Sequence, residues 1–212
     1  MLELFWVLYS TGFLVTAVVL LLVAKKLFDL ATPYSVNVQL TARDNPAVGI
    51  VVVGFLLGII AVLCGTFMGE EAAVPTLDLF VEEIVPSLTY GVVGILLLLV
   101  AGIVNDRLVL YKFRNTTEII ERSNCAVAVI MAISYLGSGL IIAGGIRGSI
   151  SILSAVIAFF AGQVLLVIFA LLYQIATKYD DLEEVGKNMN LAAGLAFAGN
   201  LLAFSLIVMK GI

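Results

Sequence analysis

Residues 45–68 read NPAVGIVVVGFLLGIIAVLCGTFM, and this stretch decides the fold class. It carries no charged residue. At a rise of about 1.5 Å per residue, a helix of this length crosses a hydrocarbon core about 30 Å thick. Its apolar residues cover every side of such a helix, whereas a helix on the surface of a soluble protein has a polar face. The stretch therefore predicts a membrane-spanning helix.

Five further runs of the same kind occur along the chain, at about residues 4–24, 87–104, 125–146, 150–176 and 190–209. Of the 212 residues, 62% are hydrophobic and 12% are charged, whereas soluble domains are about 45–50% apolar and about 25% charged. A soluble domain of this size has no interior large enough for so many apolar side chains. We therefore predict an all-α, polytopic membrane protein. Residues 1–212 form one membrane domain with six transmembrane helices, and the lipid bilayer surrounds it.

The charged residues predict the orientation of the six spans. Of the eleven Lys and Arg residues, all except Arg147 and Lys210 lie between spans 1 and 2, 3 and 4, or 5 and 6. Cytoplasmic loops carry an excess of Lys and Arg, so we expect these three connections in the cytoplasm and both termini outside. The connection between spans 2 and 3 agrees with this orientation, because it contains no Lys or Arg. Its charged residues are all acidic: Glu70, Glu71, Asp78, Glu82 and Glu83.

The chain reads as three copies of one two-helix unit, at about residues 1–75, 76–148 and 149–212. Residues 28–58 (FDLATPYSVNVQLTARDNPAVGIVVVGFLLG) align without a gap on residues 173–203 (YQIATKYDDLEEVGKNMNLAAGLAFAGNLLA), and residues 121–139 (ERSNCAVAVIMAISYLGSG) supply the middle copy. Each unit holds two spans, so successive units enter the membrane from the same side. The prediction is three parallel two-helix repeats, N-out and C-out, unlike the inverted repeats of many secondary transporters.

An asparagine begins the second helix of every unit: Asn45, Asn124 and Asn190. A side-chain oxygen at this position accepts hydrogen bonds from the N–H groups of the first turn, which are costly to leave unpaired near hydrocarbon. Two interpretations are open. The three residues cap their helices, or their amides form a functional ring at one depth of the membrane.

Small residues crowd the second helix of each unit, and small residues let transmembrane backbones approach closely. We expect close packing at Gly54, Gly58, Gly137, Gly194 and Gly199. Spans 2, 4 and 6 are therefore predicted to be the inner helices. They meet either within one chain or between the subunits of a homo-oligomer.

Two amides are predicted near the middle of the membrane, Gln163 in span 5 and Asn200 in span 6. Ser134 occupies the position of Asn200 in the second unit. Polar residues at that depth are candidates for function. One interpretation is a hydrogen bond between Gln163 and Asn200 that joins spans 5 and 6. The other is a polar path through an oligomer.

Two acidic segments lie outside these spans. Residues 76–85 (TLDLFVEEIV) place apolar residues on one side of a short helix, which we expect to lie on the external surface of the membrane. Its acidic side is interpreted as solvated, or as concentrating cations at a pore mouth. Between spans 5 and 6, four carboxylates are interpreted as a solvated face or as a docking surface: Asp180, Asp181, Glu183 and Glu184.

Several stretches resemble one known family. They are FDLATPY at 28–34, NPAVG at 45–49, DRLVLYKF at 106–113, EII at 118–120, NCAVAV at 124–129 and GSGLIIAG at 137–144. Over nearly its whole length the chain is similar to the domain-of-unknown-function 350 family, the YjfL-type bacterial inner-membrane proteins. The third copy departs from the pattern at Lys178 and Asn200. The resemblance implies a multi-pass protein of the bacterial inner membrane, assigns no reaction, and suggests a cytoplasmic membrane-stress protein as partner.

The sequence contains no histidine and two cysteines, so it indicates no His-ligated or Cys-rich metal centre. No Ser or Cys stands beside a plausible base within a span, and no basic block suggests nucleic acid. We expect neither enzymatic activity nor a cofactor. Two functions are compatible with the sequence. One is an oligomeric, passive channel or pore-like module for small ions or solutes, and the other is a non-conducting platform that recruits cytoplasmic membrane-stress proteins.

Overall fold

The computed structural model describes residues 2–67, 76–148 and 151–211, and these residues are helical apart from short connections. Glu70 and Glu71 lie outside the described residues. The helices are α1 (Leu2–Ala31), α2 (Val36–Thr41), α3 (Pro46–Phe67), α4 (Leu77–Val104), α5 (Asn115–Glu121), α6 (Cys125–Gly148), α7 (Ile152–Ala176) and α8 (Leu191–Gly211), with π-helical turns at Asn105–Val109 and Glu183–Lys187. Among them, α1, α3, α4, α6, α7 and α8 are long and apolar enough to cross a membrane. The predicted all-α class and the six spans are confirmed in that sense.

Three of the long helices form an inner row in the order α3, α6, α8, and α3 does not pack against α8. Glycines allow the close approach in this row. A Cβ atom on Gly54 of α3 would lie 2.2 Å from Cα of Ala132 of α6, and one on Gly194 of α8 would lie 2.9 Å from Cα of Ala126. The central position of α6 leaves one side of α3 and one side of α8 without a helical neighbour.

The other three long helices form an outer row in the order α1, α4, α7. Helix α4 packs on α3, where Gly94 meets the side chain of Val62, and α7 packs on α6, where Gly162 meets Ile141. Only 11% of the most apolar part of α1 is buried, whereas 67% of the corresponding part of α6 is buried. Helix α1 is therefore peripheral, and α6 is the centre of the bundle.

The first turns of α4 correct one prediction. The sequence predicts a separate surface helix over residues 76–85, but these turns belong to one helix that runs unbroken through Pro86 to Val104. The packing of Phe80 against Gly12 of α1 and the hydrogen bond from Tyr9 to Glu83 direct these turns along α1. Proline removes a single backbone donor, which a membrane helix with neighbouring helices tolerates.

Candidate functional site

The most organised polar region lies at one end of the bundle, where three connectors join the outer to the inner helices. We call the surface formed by residues 32–45, 105–124 and 177–190 the connector face. Each connector contains a short helix or a π-helical turn and ends at a residue with a left-handed backbone. These residues are Asp44, Ser123 and Met189, with φ values of 47°, 50° and 51°. They reverse the chain immediately before the asparagine that begins the inner helix.

The three asparagines make corresponding bonds to their own helices. Oδ1 of Asn45 accepts from the backbone N–H of Ala47 at 3.0 Å, and Oδ1 of Asn124 accepts from that of Ala126 at 3.0 Å. Oδ1 of Asn190 accepts from the N–H of Ala193 at 3.2 Å. Each side chain thus pairs a donor of the first helical turn that no backbone carbonyl reaches.

The amide nitrogens also bond to the residue six positions earlier. Asn45 donates to Gln39 at 3.3 Å, Asn124 to Glu118 at 2.9 Å and Asn190 to Glu184 at 2.9 Å. Of these acceptors, Gln39 and Glu118 are absent from the predicted site residues, and Glu184 is predicted there only as part of an acidic segment. Their signal is present in the sequence, where a Gln or Glu stands six residues before each asparagine in QLTARDN, EIIERSN and EVGKNMN.

Two of the asparagines link one connector to the next. Nδ2 of Asn45 donates to the carbonyl of Ile119 at 2.8 Å, and Nδ2 of Asn124 donates to the carbonyl of Val185 at 2.9 Å. Arg122 strengthens the second link, because it donates to the carbonyls of Gly186 and Lys187 at 2.7 and 2.9 Å. Asn45 and Asn124 therefore connect the three connectors in series, and they bond to backbone carbonyls of the following connector rather than to each other.

The four carboxylates of the third connector are engaged within the connector face. Asp180 pairs with Lys112, Asp181 accepts from Thr177, Glu183 pairs with Lys187, and Glu184 accepts from Asn188 and Asn190. The hydrogen bond from Lys112 lowers the pKa of Asp180 below its ordinary value. Burial raises the pKa of Asp181, which is 1% exposed. All four carboxylates are therefore paired within the connector face, although Asp180 and Glu183 are exposed; a docking role for this segment stays a prediction.

Some buried polar atoms in the described ranges have no hydrogen-bond partner. They belong to Asn105 and Asn115 of the middle connector, and to Gln174 and Asp181 at the third. All four residues lie at the connector end of the bundle. A buried polar group without a partner costs free energy, so this end holds the least satisfied part of the described interior.

The polar residues predicted at mid-membrane do not meet, which corrects the predicted bond between Gln163 and Asn200. Gln163 is buried and donates to Oγ of Ser138 on α6 at 2.8 Å. Asn200 lies on the exposed side of α8 and donates to the carbonyl of Ala196 in its own helix at 2.8 Å. Ser134, one helical turn before Ser138, is partly buried. The reason is rotational, because α7 turns Gln163 toward α6 while α8 turns Asn200 away from the bundle.

Four of the five predicted packing glycines lie at close contacts within the chain. A Cβ atom would lie 2.2 Å from Cα of Ala132 at Gly54, 2.7 Å from the carbonyl oxygen of Tyr135 at Gly58, 2.2 Å from Oγ of Ser205 at Gly137 and 2.8 Å from the carbonyl oxygen of Ala126 at Gly194. Gly199 differs, since no atom lies within 4 Å of that position. Gly199 makes no close contact within the chain, because this side of α8 has no neighbour there. Close packing of Gly199 between subunits stays a prediction.

An apolar groove of about 460 Å³ opens between α3 and α6. Its walls include Gly49, Val53 and Leu57 of α3 and Val129 and Ile133 of α6. The lining contains no ionisable side chain, so the groove suits an apolar chain. Within the described ranges, no group of three His, Cys, Asp or Glu residues is arranged to hold a metal ion.

Comparison with known proteins gives one match. The family model described as Domain of Unknown Function (DUF350) matches residues 3–146 and 149–212. No curated protein and no solved structure matches the chain.

Proposed function

This chain belongs to the DUF350 family, and from its geometry we propose that it is a multi-pass scaffold of the bacterial inner membrane that recruits a cytoplasmic protein through the connector face. In this proposal the three two-helix units are parallel repeats, with both termini outside and the connector face in the cytoplasm. The excess of Lys and Arg in the connectors supports this orientation.

One observation carries the proposal: the connectors are joined to one another by side-chain bonds. Asn45 reaches the carbonyl of Ile119, and Asn124 and Arg122 reach the carbonyls of Val185 and Gly186. These bonds order a polar surface on one end of the bundle. A preorganised surface binds a partner with a smaller ordering cost than flexible loops do.

The charge of this surface favours an acidic partner. Every Lys and Arg of the connector face is exposed: Arg43, Arg107, Lys112, Arg114, Arg122, Lys178 and Lys187. Of the eight carboxylates of this surface, Glu118 and Asp181 are buried and Asp106 and Glu184 are partly buried. Among the exposed ones, Asp180 pairs with Lys112 and Glu183 pairs with Lys187. Complementary charge steers association and selects partners. We propose a cytoplasmic membrane-stress protein with an acidic surface as the partner.

The test is charge reversal on the connector face of the protein in nanodiscs. A variant carrying Arg107→Glu, Arg114→Glu and Lys178→Glu keeps the bonds described above, because those bonds use other side chains. A cytosolic protein captured by the unaltered chain should be lost by this variant. Lys210→Glu at the other end of the bundle is the control and should retain it. Equal capture by the charge-reversed variant and the control would contradict recruitment through this surface.

A pore is the second candidate, and Asn200 favours it. This amide lies on the exposed side of α8, although amides in membrane spans usually face protein or a water-filled cavity. A pore would require several chains that turn this side of α8 inward. Ion and small-solute flux in liposomes tests the idea with Asn200→Leu against the exposed control Leu195→Ala. Flux that disappears only in Asn200→Leu would favour the pore, and absence of flux in the unaltered protein would reject it.

A further inference from the structure

The contacts between successive units follow one pattern. We count positions from the asparagine that begins each inner helix, so position 13 is Gly58 in α3, Gly137 in α6 and Ala203 in α8. Position 13 of one unit meets position 15 of the next, because Gly58 meets Gly139 and Gly137 meets Ser205. We call the side of an inner helix with positions 2, 6, 13 and 17 its forward face, and the side with positions 8, 15 and 19 its rear face.

The forward face is covered in the first two units and bare in the third. At position 17, Val62 and Ile141 are fully buried against the outer helix of the following unit, whereas Ile207 is 67% exposed. Positions 2, 6 and 13 show the same difference between the first two units and the third. Ala47, Val51 and Gly58 are buried in α3, and Ala126, Ile130 and Gly137 are buried in α6, but Ala192, Ala196 and Ala203 are exposed in α8.

The rear face shows the opposite pattern. At position 8, Ala132 of α6 and Ala198 of α8 are buried, whereas Val53 of α3 is 56% exposed. Position 15 repeats this, because Gly139 and Ser205 are buried and Ile60 is exposed. Among the described residues, the forward face is thus bare on α8 and the rear face is bare on α3.

The hydrogen bonds between connectors are incomplete at the same two places. Asn45 and Asn124 donate to the carbonyl five residues before the next asparagine, at Ile119 and Val185. Nδ2 of Asn190 donates, within the described part of the chain, only to Glu184. The carbonyl five residues before Asn45 is that of Leu40 in the last turn of α2, where helix carbonyls lack partners in their own helix.

We infer that the third unit of one chain binds the first unit of a second copy, head to tail, by the same interface that joins units within the chain. The forward face of α8 then covers the rear face of α3 of the second copy, and Asn190 donates to the Leu40 carbonyl there. Asn200 and Gly199 lie on the bare side of α8 and become interfacial. Small residues and an amide are the groups that join helices in lipid.

This interface uses different surfaces of the two copies, so an open assembly keeps one bare forward face and one bare rear face, on its two end copies, until a ring closes. The inference concerns assembly and stands independently of recruitment by the connector face. It predicts multimers larger than dimers, because each chain binds one neighbour through α8 and another through α3. A symmetric α8-to-α8 contact would give dimers only.

Cysteine cross-linking in membranes tests the register. Within the chain, position 20 of one unit lies against position 19 of the next, as Gly65 does against Ala143 and Gly144 against Met209. In the proposed interface Lys210, at position 20 of α8, lies against the exposed Cys64 of the second copy, at position 19 of α3. Lys210→Cys in a Cys125→Ala background should therefore give a ladder of cross-linked multimers on oxidation with iodine.

The control adds Cys64→Ala and should abolish the ladder. Dimers that persist in this control would indicate an α8-to-α8 contact and overturn the inference. Absence of cross-linked species from the Lys210→Cys protein with Cys64 present would also overturn it. Both variants should retain the thermal unfolding temperature of the parent, because Lys210 and Cys64 are exposed.

A second measurement introduces a large side chain instead of a cysteine. Ala203→Trp fills the bare forward face of α8 and should convert the multimer to monomer in native mass spectrometry. Leu96→Trp is the matched control, because Leu96 is 54% exposed on α4, which has neighbouring units on both sides in its own chain. A multimer that survives Ala203→Trp, or that is lost equally in Leu96→Trp, would overturn the inference.

Discussion

Nδ2 of Asn124 lies 2.9 Å from the carbonyl oxygen of Val185, and this bond joins the second connector to the third. The same side chain caps α6 through Oδ1 and bonds to the carboxylate of Glu118. One buried residue thus fixes a helix start, the connector that precedes it and the connector that follows it. The four predictions below follow from such contacts.

Asn124→Ala should lower the free energy of unfolding more than Asn190→Ala does. Loss of the cap costs about 1 kcal/mol at either position. Both variants also remove a donor from the carboxylate six residues earlier, but only Asn124→Ala leaves the buried Val185 carbonyl without its donor, which adds about 1–3 kcal/mol. Thermal unfolding of monomers in detergent measures the difference, and Asn200→Ala is the control because Asn200 is exposed. Equal losses at Asn124 and Asn190 would contradict the importance of the link.

Gly54→Ala and Gly199→Ala should have opposite effects in detergent-solubilised monomers. A methyl group on Gly54 would lie 2.2 Å from Cα of Ala132, so α3 and α6 must separate, at a cost of about 1–3 kcal/mol. The same methyl group on Gly199 meets no atom within 4 Å, and alanine favours a helix over glycine by about 1 kcal/mol. Chemical denaturation in mixed micelles compares the two. Destabilisation by Gly199→Ala in the monomer would disagree with a bare side of α8.

Asp181→Asn should stabilise the protein at neutral pH, and the gain should shrink as the pH falls. Burial raises the pKa of Asp181 in the folded protein, so folding disfavours its ionised form. That cost is fully present above the folded pKa and absent below the unfolded pKa, and asparagine removes it. Unfolding temperatures between about pH 4 and pH 8 measure the trend.

Asp180→Asn is the control for this pH dependence. The hydrogen bond from Lys112 lowers the pKa of Asp180, so the ionised form stabilises the folded protein above the unfolded pKa, and this contribution is lost as the pH falls. The variant should therefore be slightly less stable than the parent at neutral pH and equal to it in acid. A gain at neutral pH from both variants would argue for a general effect of net charge.

Gln163→Leu and Ser138→Ala should show coupled effects on stability, whereas Gln163→Leu and Asn200→Leu should be additive. Gln163 donates to Ser138 at 2.8 Å, and Asn200 bonds within its own helix. Hydrogen bonds between membrane helices contribute about 0.6 kcal/mol on average and up to about 1.7 kcal/mol. A double-mutant cycle measures the coupling. Coupling between Gln163 and Asn200 would indicate a contact between them in an assembly.

Several features of the site were readable in the sequence, and others were not. The asparagines that begin α3, α6 and α8 stand out because a polar residue at the edge of an apolar run needs a local reason. The partner of Gln163 does not stand out, because a serine four residues from Ser134 looks like any small residue of a membrane helix. The continuity of α4 through Pro86 was also hidden, since it depends on the contacts of Phe80 with α1.

The sequence by itself determined that the protein lies in lipid, how many spans it has and which residues begin its inner helices. Those properties depend on the transfer of each side chain into lipid and on local bonds of the chain. Only the tertiary structure decided that Gln163 bonds to Ser138, and that one side of α3 and one side of α8 lack a neighbour within the chain. The reason is that lipid is as apolar as a leucine side chain. The hydrophobic pattern therefore does not tell which side of a membrane helix meets protein, and that side is set by the packing of the helices against one another.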